Sequence, residues 1–230
     1  MKIKKISIVF ILGGLLMITG CQSKASLRTE IEGKFTKLSE VYPTENLEEL
    51  MNKFPDKEIK ILHFETRKES DGKSYTKNIV LEIKDKNIIG KVSVYDYSIT
   101  PEKKLDEYKI IYNQDAKKLE REDGKKLDTQ VENVKFLFQM LDVKNNPLSR
   151  WNNERVDKIE GNGGYSATYY INNKELFDYL NISNTKDIRI DLRNKERYSK
   201  EGDIGTFQLF TPKDESDLLE NIVIENKGEK

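Results

Sequence analysis

The stretch between residues 58 and 113 limits the fold of this chain most, because four strand-like segments follow one another there with only short turn signals between them. In the first segment, Ile59, Ile61 and His63 recur at every second position, which is the period of a β-strand. Consecutive short strands joined by tight turns predict an antiparallel meander. The four predicted strands are residues 58–67, 75–83, 88–99 and 106–113.

Helical patterns precede and follow this meander. From residue 26 to residue 41 the apolar side chains recur at spacings of four, four, three and three, which is one face of an amphipathic helix. Thr44 is the predicted N-cap of a second helix, and Asp128 is the predicted cap of a third. The second helix covers residues 47–54, the third covers 128–141, and a fourth is predicted over 173–180. Further strands are predicted over 153–160, 165–171, 186–193, 204–210 and 219–225.

These elements predict one folded unit. We expect an α+β fold, in which an antiparallel sheet meander carries several amphipathic helices packed on it. The length fits a single α+β domain over residues 26–225, followed by a disordered tail at 226–230. The sequence between these limits contains neither a linker rich in Pro, Gly or Ser nor a clear internal repeat.

The first 20 residues differ from the rest of the chain. They begin with Lys2, Lys4 and Lys5, continue with a 13-residue apolar run over Ile6–Ile18, and contain no acidic residue. A membrane-spanning helix needs about 20 apolar residues, whereas a run of this length behind a basic start is typical of a secretory signal peptide. The alternative, a buried core helix, rarely begins at residue 6 behind three lysines. We predict that residues 1–20 are a cleaved signal peptide.

Cys21 is the only cysteine, and it directly follows the apolar run. The segment Ile18-Thr19-Gly20-Cys21 resembles the lipobox of bacterial lipoproteins, in which the thiol accepts a diacylglyceryl group. Cleavage between Gly20 and Cys21 then leaves an N-terminal cysteine that carries S-diacylglycerol and N-acyl groups such as palmitate. Each buried CH₂ contributes about 0.8 kcal/mol, so two or three chains anchor firmly. Residues 21–25 are the predicted lipidated cysteine and short tether, and the predicted location is the outer face of the cell membrane.

The charge balance argues against nucleic acid as a partner. The chain has 40 basic and 40 acidic residues, and the predicted signal peptide removes three of the basic ones, leaving a net charge of −3. Binding to nucleic acid depends on a positive surface that displaces counterions. A single cysteine also excludes an internal disulfide.

Two sequence blocks connect the chain with a known family. They are Tyr42-Pro43-Thr44-Glu45-Asn46-Leu47-Glu48-Glu49-Leu50 and Val131-Glu132-Asn133-Val134-Lys135-Phe136, with weaker marks in Ser166–Tyr170, Asn172-Asn173 and Tyr179–Ser183. From the lipobox nearly to the C-terminus, the chain resembles the staphylococcal tandem-type lipoproteins, which share a domain of unknown function. It departs from them at Met51-Asn52-Lys53-Phe54-Pro55, where family members have Tyr-Asp and a Gly-rich turn.

The resemblance implies a membrane-anchored surface protein with no known enzymatic activity. It also implies contact with host cells and stimulation of innate immune receptors through the lipidated N-terminus. The family has no active-site residues that could be carried over to this chain, and the resemblance implies neither a cofactor nor a metal.

The candidate functional residues point more to packing than to chemistry. His63 is the only histidine, and with Cys21 used for lipidation a triad or metal site lacks members, so a half-buried strand histidine is favoured. The Gly161–Gly164 stretch lacks the Lys-Ser/Thr of a phosphate-binding loop. Acid pairs such as Glu48-Glu49 lie in solvated segments. A groove lined by aromatic side chains stays open as an alternative to packing, and its members are Trp151, Tyr165, Tyr169 and Tyr170.

Two function classes remain after this survey. The first is a non-catalytic surface lipoprotein that interacts with the host or stimulates immune receptors. The second is an extracytoplasmic binding module that carries a small ligand or peptide. An apolar cavity with convergent polar groups favours the second class, whereas a filled core with charged outer faces favours the first.

Overall fold

A computed structural model describes residues 23–68, 72–159, 164–181, 188–194, 203–210 and 216–227. The predicted signal peptide, Gly20 and Cys21 lie outside the described residues. Within them, the chain forms one antiparallel sheet in the order β5-β4-β3-β2-β1-β10-β9-β8-β7-β6. The strands are β1 Lys57–Lys68, β2 Ser74–Lys84, β3 Asn87–Asp96, β4 Lys103–Asn113, β5 Lys118–Arg121, β6 Asn152–Ile159, β7 Gly164–Ile171, β8 Ile188–Asn194, β9 Asp203–Phe210 and β10 Ser216–Asn226.

The helices of the described residues are short. None of them is both long and apolar enough to cross a membrane. They are α1 Lys24–Gly33, α2 Leu38–Val41, α3 Leu47–Lys53, α4 Thr129–Glu132, α5 Leu137–Met140 and α6 Lys174–Leu180, with a 3-10 helix over Leu148–Arg150.

The inner face of the sheet carries the core. In β1 the odd-numbered residues from Ile59 to Glu65 are buried, whereas Leu62 on the opposite face is exposed. Ile61 lies opposite Ile222 of β10, so the same face is buried across the central strand pair. One buried apolar cluster joins these strand residues to side chains from the helices, including Leu38 and Phe138. The short helices and their connections therefore close the inner face of the sheet.

The expected α+β arrangement with several amphipathic helices packed on a sheet is wrong. A single sheet of ten strands dominates the described structure, and three of its six α-helices have only four residues. All nine predicted strand segments overlap observed strands, but β5 was missed. Thr44 is not a helix cap either, since the side chain of Asn46 accepts the hydrogen bond from the backbone N–H of Glu49.

Two predicted helices are interrupted for physical reasons. Over residues 26–41 the helix stops at Gly33, a residue that destabilises a helix interior by about 1 kcal/mol, and resumes at Leu38. Over residues 128–141 the backbone N–H groups of Leu137 and Phe138 donate to the carboxylate of Glu220. In a continuous helix those groups would bond to carbonyls four residues earlier, so tertiary contact with β10 splits this segment.

Candidate functional site

The most unusual feature of the inner face is a set of buried ionisable side chains at the centre of the sheet. His63 and Glu65 lie two residues apart on β1, and His63 stands directly opposite Glu220 on β10. His63 and Glu220 are 0% exposed, and Glu65 is 5% exposed. Charged residues are almost never fully buried unless they are paired. We call these three residues the buried charge cluster.

The imidazole lies between the two carboxylates. His63 Nδ1 is 3.7 Å from Glu220 Oε2, and His63 Nε2 is 4.0 Å from Glu65 Oε2. Neither ring nitrogen has a hydrogen-bond partner among the described residues, and both separations exceed an ordinary hydrogen bond of about 2.7–3.2 Å. The attraction is therefore one between opposite charges. The Phe136 ring packs against the imidazole in an edge-to-face arrangement, with 5.2 Å between the ring centroids.

Glu220 is held by donors from two other parts of the chain. Its Oε1 accepts from the Tyr42 hydroxyl at 2.9 Å and from the backbone N–H of Phe138 at 3.0 Å. Its Oε2 accepts from the backbone N–H of Leu137 at 2.7 Å. Both oxygens of this buried carboxylate are thus satisfied, as buried polar groups require. Glu220 connects the α2–α3 region and α5 to the sheet.

Glu65 has its own set of partners. Its Oε2 accepts from the Tyr179 hydroxyl at 3.0 Å, and its Oε1 accepts from Arg67 Nε. The Arg67 guanidinium lies 5.0 Å from the centre of the Tyr179 ring, a cation–π distance. On β2, Lys77 is the direct neighbour of Glu65 and pairs with Asp128 at 3.3 Å. The ion pairs thus extend from the buried charge cluster toward the surface at α4 and α6.

The surroundings keep His63 and Glu65 ionised at neutral pH. Burial by itself would lower the pKa of His63, but Glu220 and Glu65 outweigh burial and raise the pKa to about 9. Burial would raise the pKa of Glu65, but His63 and Arg67 outweigh it and lower the pKa to about 2. Burial and Glu65 also raise the pKa of Tyr179. A protonated, enclosed imidazole is a poor general base, since a base must be unprotonated and within reach of its substrate.

The surface clefts are lined by residues other than the three of the buried charge cluster. One cleft of about 310 Å³ lies where β6 begins and β7 ends, beside the 3-10 helix. Of the four aromatic residues considered for a groove, Trp151 and Tyr170 line this cleft. Tyr169 is instead buried and donates its hydroxyl to Glu32 at 3.1 Å, and Lys34 lies 5.1 Å over the ring of Tyr165.

The other residues suggested by the sequence do not form a site together. Cys21, Gly20 and most of the Gly161–Gly164 stretch lie outside the described residues. Glu49 accepts from the backbone N–H of Glu45 and pairs with Lys53 at 3.2 Å, so its contacts stabilise α3. Across the described ranges, no group of three or more His, Cys, Asp or Glu side chains is placed to hold a metal ion.

Sequence reasoning missed Glu65 and Glu220, and it placed His63 too near the surface. His63 is fully buried, not half-buried. The signal for Glu65 was available, because the two-residue period that places Ile61 and His63 on the inner face places Glu65 there as well. The same period places Glu220 on one face with Leu218 and Ile222. No local signal identified His63 as its partner, since the pairing of β10 with β1 joins opposite ends of the domain.

Comparison with known proteins agrees with a lipoprotein. No family model matches the chain. An uncharacterized lipoprotein of Staphylococcus epidermidis is 30% identical over 215 residues, which cover 84% of this chain and 79% of that protein. A crystal structure from Vibrio parahaemolyticus, named as an outer membrane lipoprotein-sorting protein domain, covers 89% of this chain and 92% of its own, with 9% identity and a TM-score of 0.27. That likeness is too low to support an argument. The match to the staphylococcal protein covers most of both sequences, and the chain therefore belongs to the same lipoprotein family.

Proposed function

We propose that this chain is a tandem-type surface lipoprotein, anchored through Cys21 on the outer face of the cell membrane, and that it acts by binding rather than by catalysis. The observation that carries the proposal is the closed inner face of the sheet. Its apolar side chains pack in one cluster, and its ionisable groups are sealed and paired with one another. Contacts with partners are then made by the outer surface and by the lipidated N-terminus.

The proposed anchor keeps the domain close to the membrane. Ser23 is the N-cap of α1, and its hydroxyl oxygen accepts from the backbone N–H of Ser26. Cys21 precedes Ser23 by two residues, which span about 7 Å when fully extended. α1 packs against β6 and β7. The end of the sheet that carries the edge strand β6 and its neighbour β7 is therefore the part of the domain nearest the lipid.

A thiol-specific experiment tests the anchor. In Cys21→Ser cells we expect no incorporation of radiolabelled acyl chains, because only a thiol accepts the diacylglyceryl group, and we expect the protein to leave the membrane fraction. A matched control, Cys21→Ser with Ser23→Cys, keeps one thiol but moves it out of the lipobox, and it should also stay unlabelled. Acyl labelling of the Cys21→Ser protein would disprove this anchor.

The proposed action on host cells divides into two measurable parts. The lipidated protein should activate innate immune reporter cells, and the Cys21→Ser protein should lose that response. The unlipidated protein should still bind host cells saturably through the outer face of its domain. Saturable turnover of a defined substrate by the purified protein, abolished by one point mutation, would overturn the non-catalytic proposal. Failure of both forms to act on host cells would favour carriage of a ligand instead.

A further inference from the structure

The cleft beside the 3-10 helix Leu148–Arg150 has the form of a small ligand site. Its volume of about 310 Å³ is at the lower end of the range of about 300–1,000 Å³ in which proteins bind small molecules. Asn152 and Tyr170 are direct neighbours across the β6–β7 pair, and both line the cleft. Trp151 forms part of the floor beside them. Aromatic and polar groups therefore converge at one end of the sheet.

Several amide groups in this cleft are available to a ligand. The side chains of Asn146, Asn152 and Asn172 line it, and none of them is hydrogen-bonded to another described residue. Asn173 differs, because its amide donates to the Met140 carbonyl at 2.9 Å and accepts from the backbone N–H of Leu176 at 3.1 Å. A side-chain amide offers a donor and an acceptor side by side, which matches a pair of adjacent hydroxyl groups.

The charge of the cleft points to a neutral ligand. Its two charged members are Arg150 and Asp142. Both carboxylate oxygens of Asp142 accept from Asn145, at 2.8 and 3.0 Å, and Arg150 donates to the Asn145 carbonyl at 3.3 Å. The positive charge of Arg150 is balanced by the negative charge of Asp142, so the cleft lacks the excess positive charge that attracts a phosphate. Amides and aromatic rings remain as the recognition elements.

We propose that this cleft binds a neutral polyhydroxylated ligand of the saccharide type. The amides of Asn146, Asn152 and Asn172 bond to ring hydroxyls, while the half-buried Tyr170 packs against the apolar C–H groups of the ring. Trp151 is 7% exposed and packs on Tyr169 and Phe207, so it forms the floor of the cleft and reports on binding above it. A saccharide would be the ligand class of the displayed surface. The proposal rests on the proposed function only in that the lipid anchor determines how far the cleft lies from the membrane.

The position of the cleft is set by α1. Arg28 donates to the carbonyls of Leu148, Ser149 and Trp151 at 3.0–3.2 Å, so the residues at the cleft are tied to the helix that follows the anchor. Arg28 lies five residues after Ser23, about 7.5 Å along a helix. Both a glycolipid headgroup and a glycan chain outside the membrane have the required chemistry, and the two sources can be separated experimentally.

Trp151 makes a site-specific measurement possible because it is the only tryptophan in the chain. The full lipidated protein in detergent is titrated with a tetramer of N-acetylglucosamine, and its tryptophan emission is followed. The same protein is then mixed with phosphatidylglycerol vesicles with and without diglucosyl diacylglycerol. We expect a saturable emission change with the tetramer for a glycan ligand, or only with the glycosylated vesicles for a glycolipid headgroup.

Variants connect the signal to the cleft. We expect Asn152→Ala with Asn172→Ala to weaken binding about tenfold or more, since two hydrogen bonds are lost. Asn52→Ala, at an exposed position on α3, should bind like the unchanged protein. Absence of saturation with every saccharide probe, equal affinity of the double variant, or displacement by inorganic phosphate would each overturn the proposal. Acyl labelling and membrane fractionation report on the anchor separately, so the two proposals can fail independently.

Discussion

At the scale of single residues, the buried charge cluster of His63, Glu65 and Glu220 distinguishes this chain from a sheet with a purely apolar inner face. A buried ion pair is weak grounds for claiming net stability, because desolvation offsets most of the attraction. Removal of one partner is different, since it leaves an uncompensated charge in the core. Because His63 faces Glu220 directly, and a slip of one residue turns every side chain to the other face, the cluster also favours a single register of β1 on β10.

The substitution His63→Leu tests the energetic weight of the cluster. It leaves Glu65 and Glu220 buried without their shared cation, and we expect the free energy of unfolding to fall by about 3–5 kcal/mol. Urea denaturation followed by circular dichroism measures this change. Leu62→Thr, at the exposed neighbouring position, is the control and should change stability by less than about 0.5 kcal/mol. A His63→Leu protein as stable as the unchanged chain would contradict the ionic interpretation.

The pKa shifts predict how stability depends on pH. The pKa of His63 is raised from 6.5 to about 9, so its contribution is complete below pH 6.5 and is lost as the pH rises toward 9. The pKa of Glu65 is lowered from 4.5 to about 2, so its contribution is lost as the pH falls from 4.5 toward 2. Urea unfolding across this range should show both losses. His63→Leu should lack the alkaline loss, and an unchanged alkaline slope in that variant would contradict the assignment.

At the scale of elements, local periodicity identified where the chain is extended, and tertiary contacts decided how its helices end. Asp128 caps α4 as predicted, accepting from the backbone N–H of Gln130 at 2.8 Å. The same helix cannot continue into α5, because Leu137 and Phe138 turn their N–H groups to Glu220. The close approach of two neighbouring strands is a second feature that depends on tertiary contact. At Gly90 of β3, an added Cβ would collide with the Val80 carbonyl and the Leu81 side chain of β2.

The glycine pair Gly90 and Gly33 gives a matched prediction. We expect Gly90→Ala to lower the free energy of unfolding by about 1–3 kcal/mol, because the backbone of the neighbouring strand cannot move away freely. Gly33 at the end of α1 has open space around the same Cβ position, and Gly33→Ala should be neutral or stabilise by up to about 1 kcal/mol. Thermal unfolding of both variants measures the difference. Equal effects at the two positions would contradict the steric explanation.

At the scale of the whole molecule, the pairing of β1 with β10 joins two five-stranded meanders. The described residues of these strands pair over eleven positions, from Lys57 with Asn226 to Arg67 with Ser216. β1 to β5 follow one another on one side of this pair, and β10 back to β6 follow on the other. The apolar cluster contains residues from both meanders. We therefore expect the two halves to unfold together.

Thermal unfolding with a chelator or a thiol reductant tests whether the fold depends on a metal or a disulfide. The chain has one cysteine, and the residues placed by the structure contain no metal-binding group. We expect one thermal transition whose midpoint is unchanged by EDTA or by a thiol reductant, because packing and ion pairs stabilise the fold. Calorimetry in the presence of each reagent measures this. A clear fall of the midpoint with either reagent, or two separate transitions, would contradict this account.

The sequence by itself determined the strand segments, the two-residue alternation of β1 and a lipoprotein family, because alternation, turn residues and short sequence blocks are local properties. It predicted the lipidation of Cys21 on the same local basis. Only the tertiary structure decided the dominance of one sheet, the β1–β10 pairing and the environment of His63. The physical reason is sequence separation: Tyr42 and Glu220 are 178 residues apart, and no local period encodes which distant carboxylate will face an imidazole. The cleft at Trp151 depends on the same kind of contact, since Arg28 donates a hydrogen bond to the carbonyl of Leu148, which lies 120 residues later in the sequence.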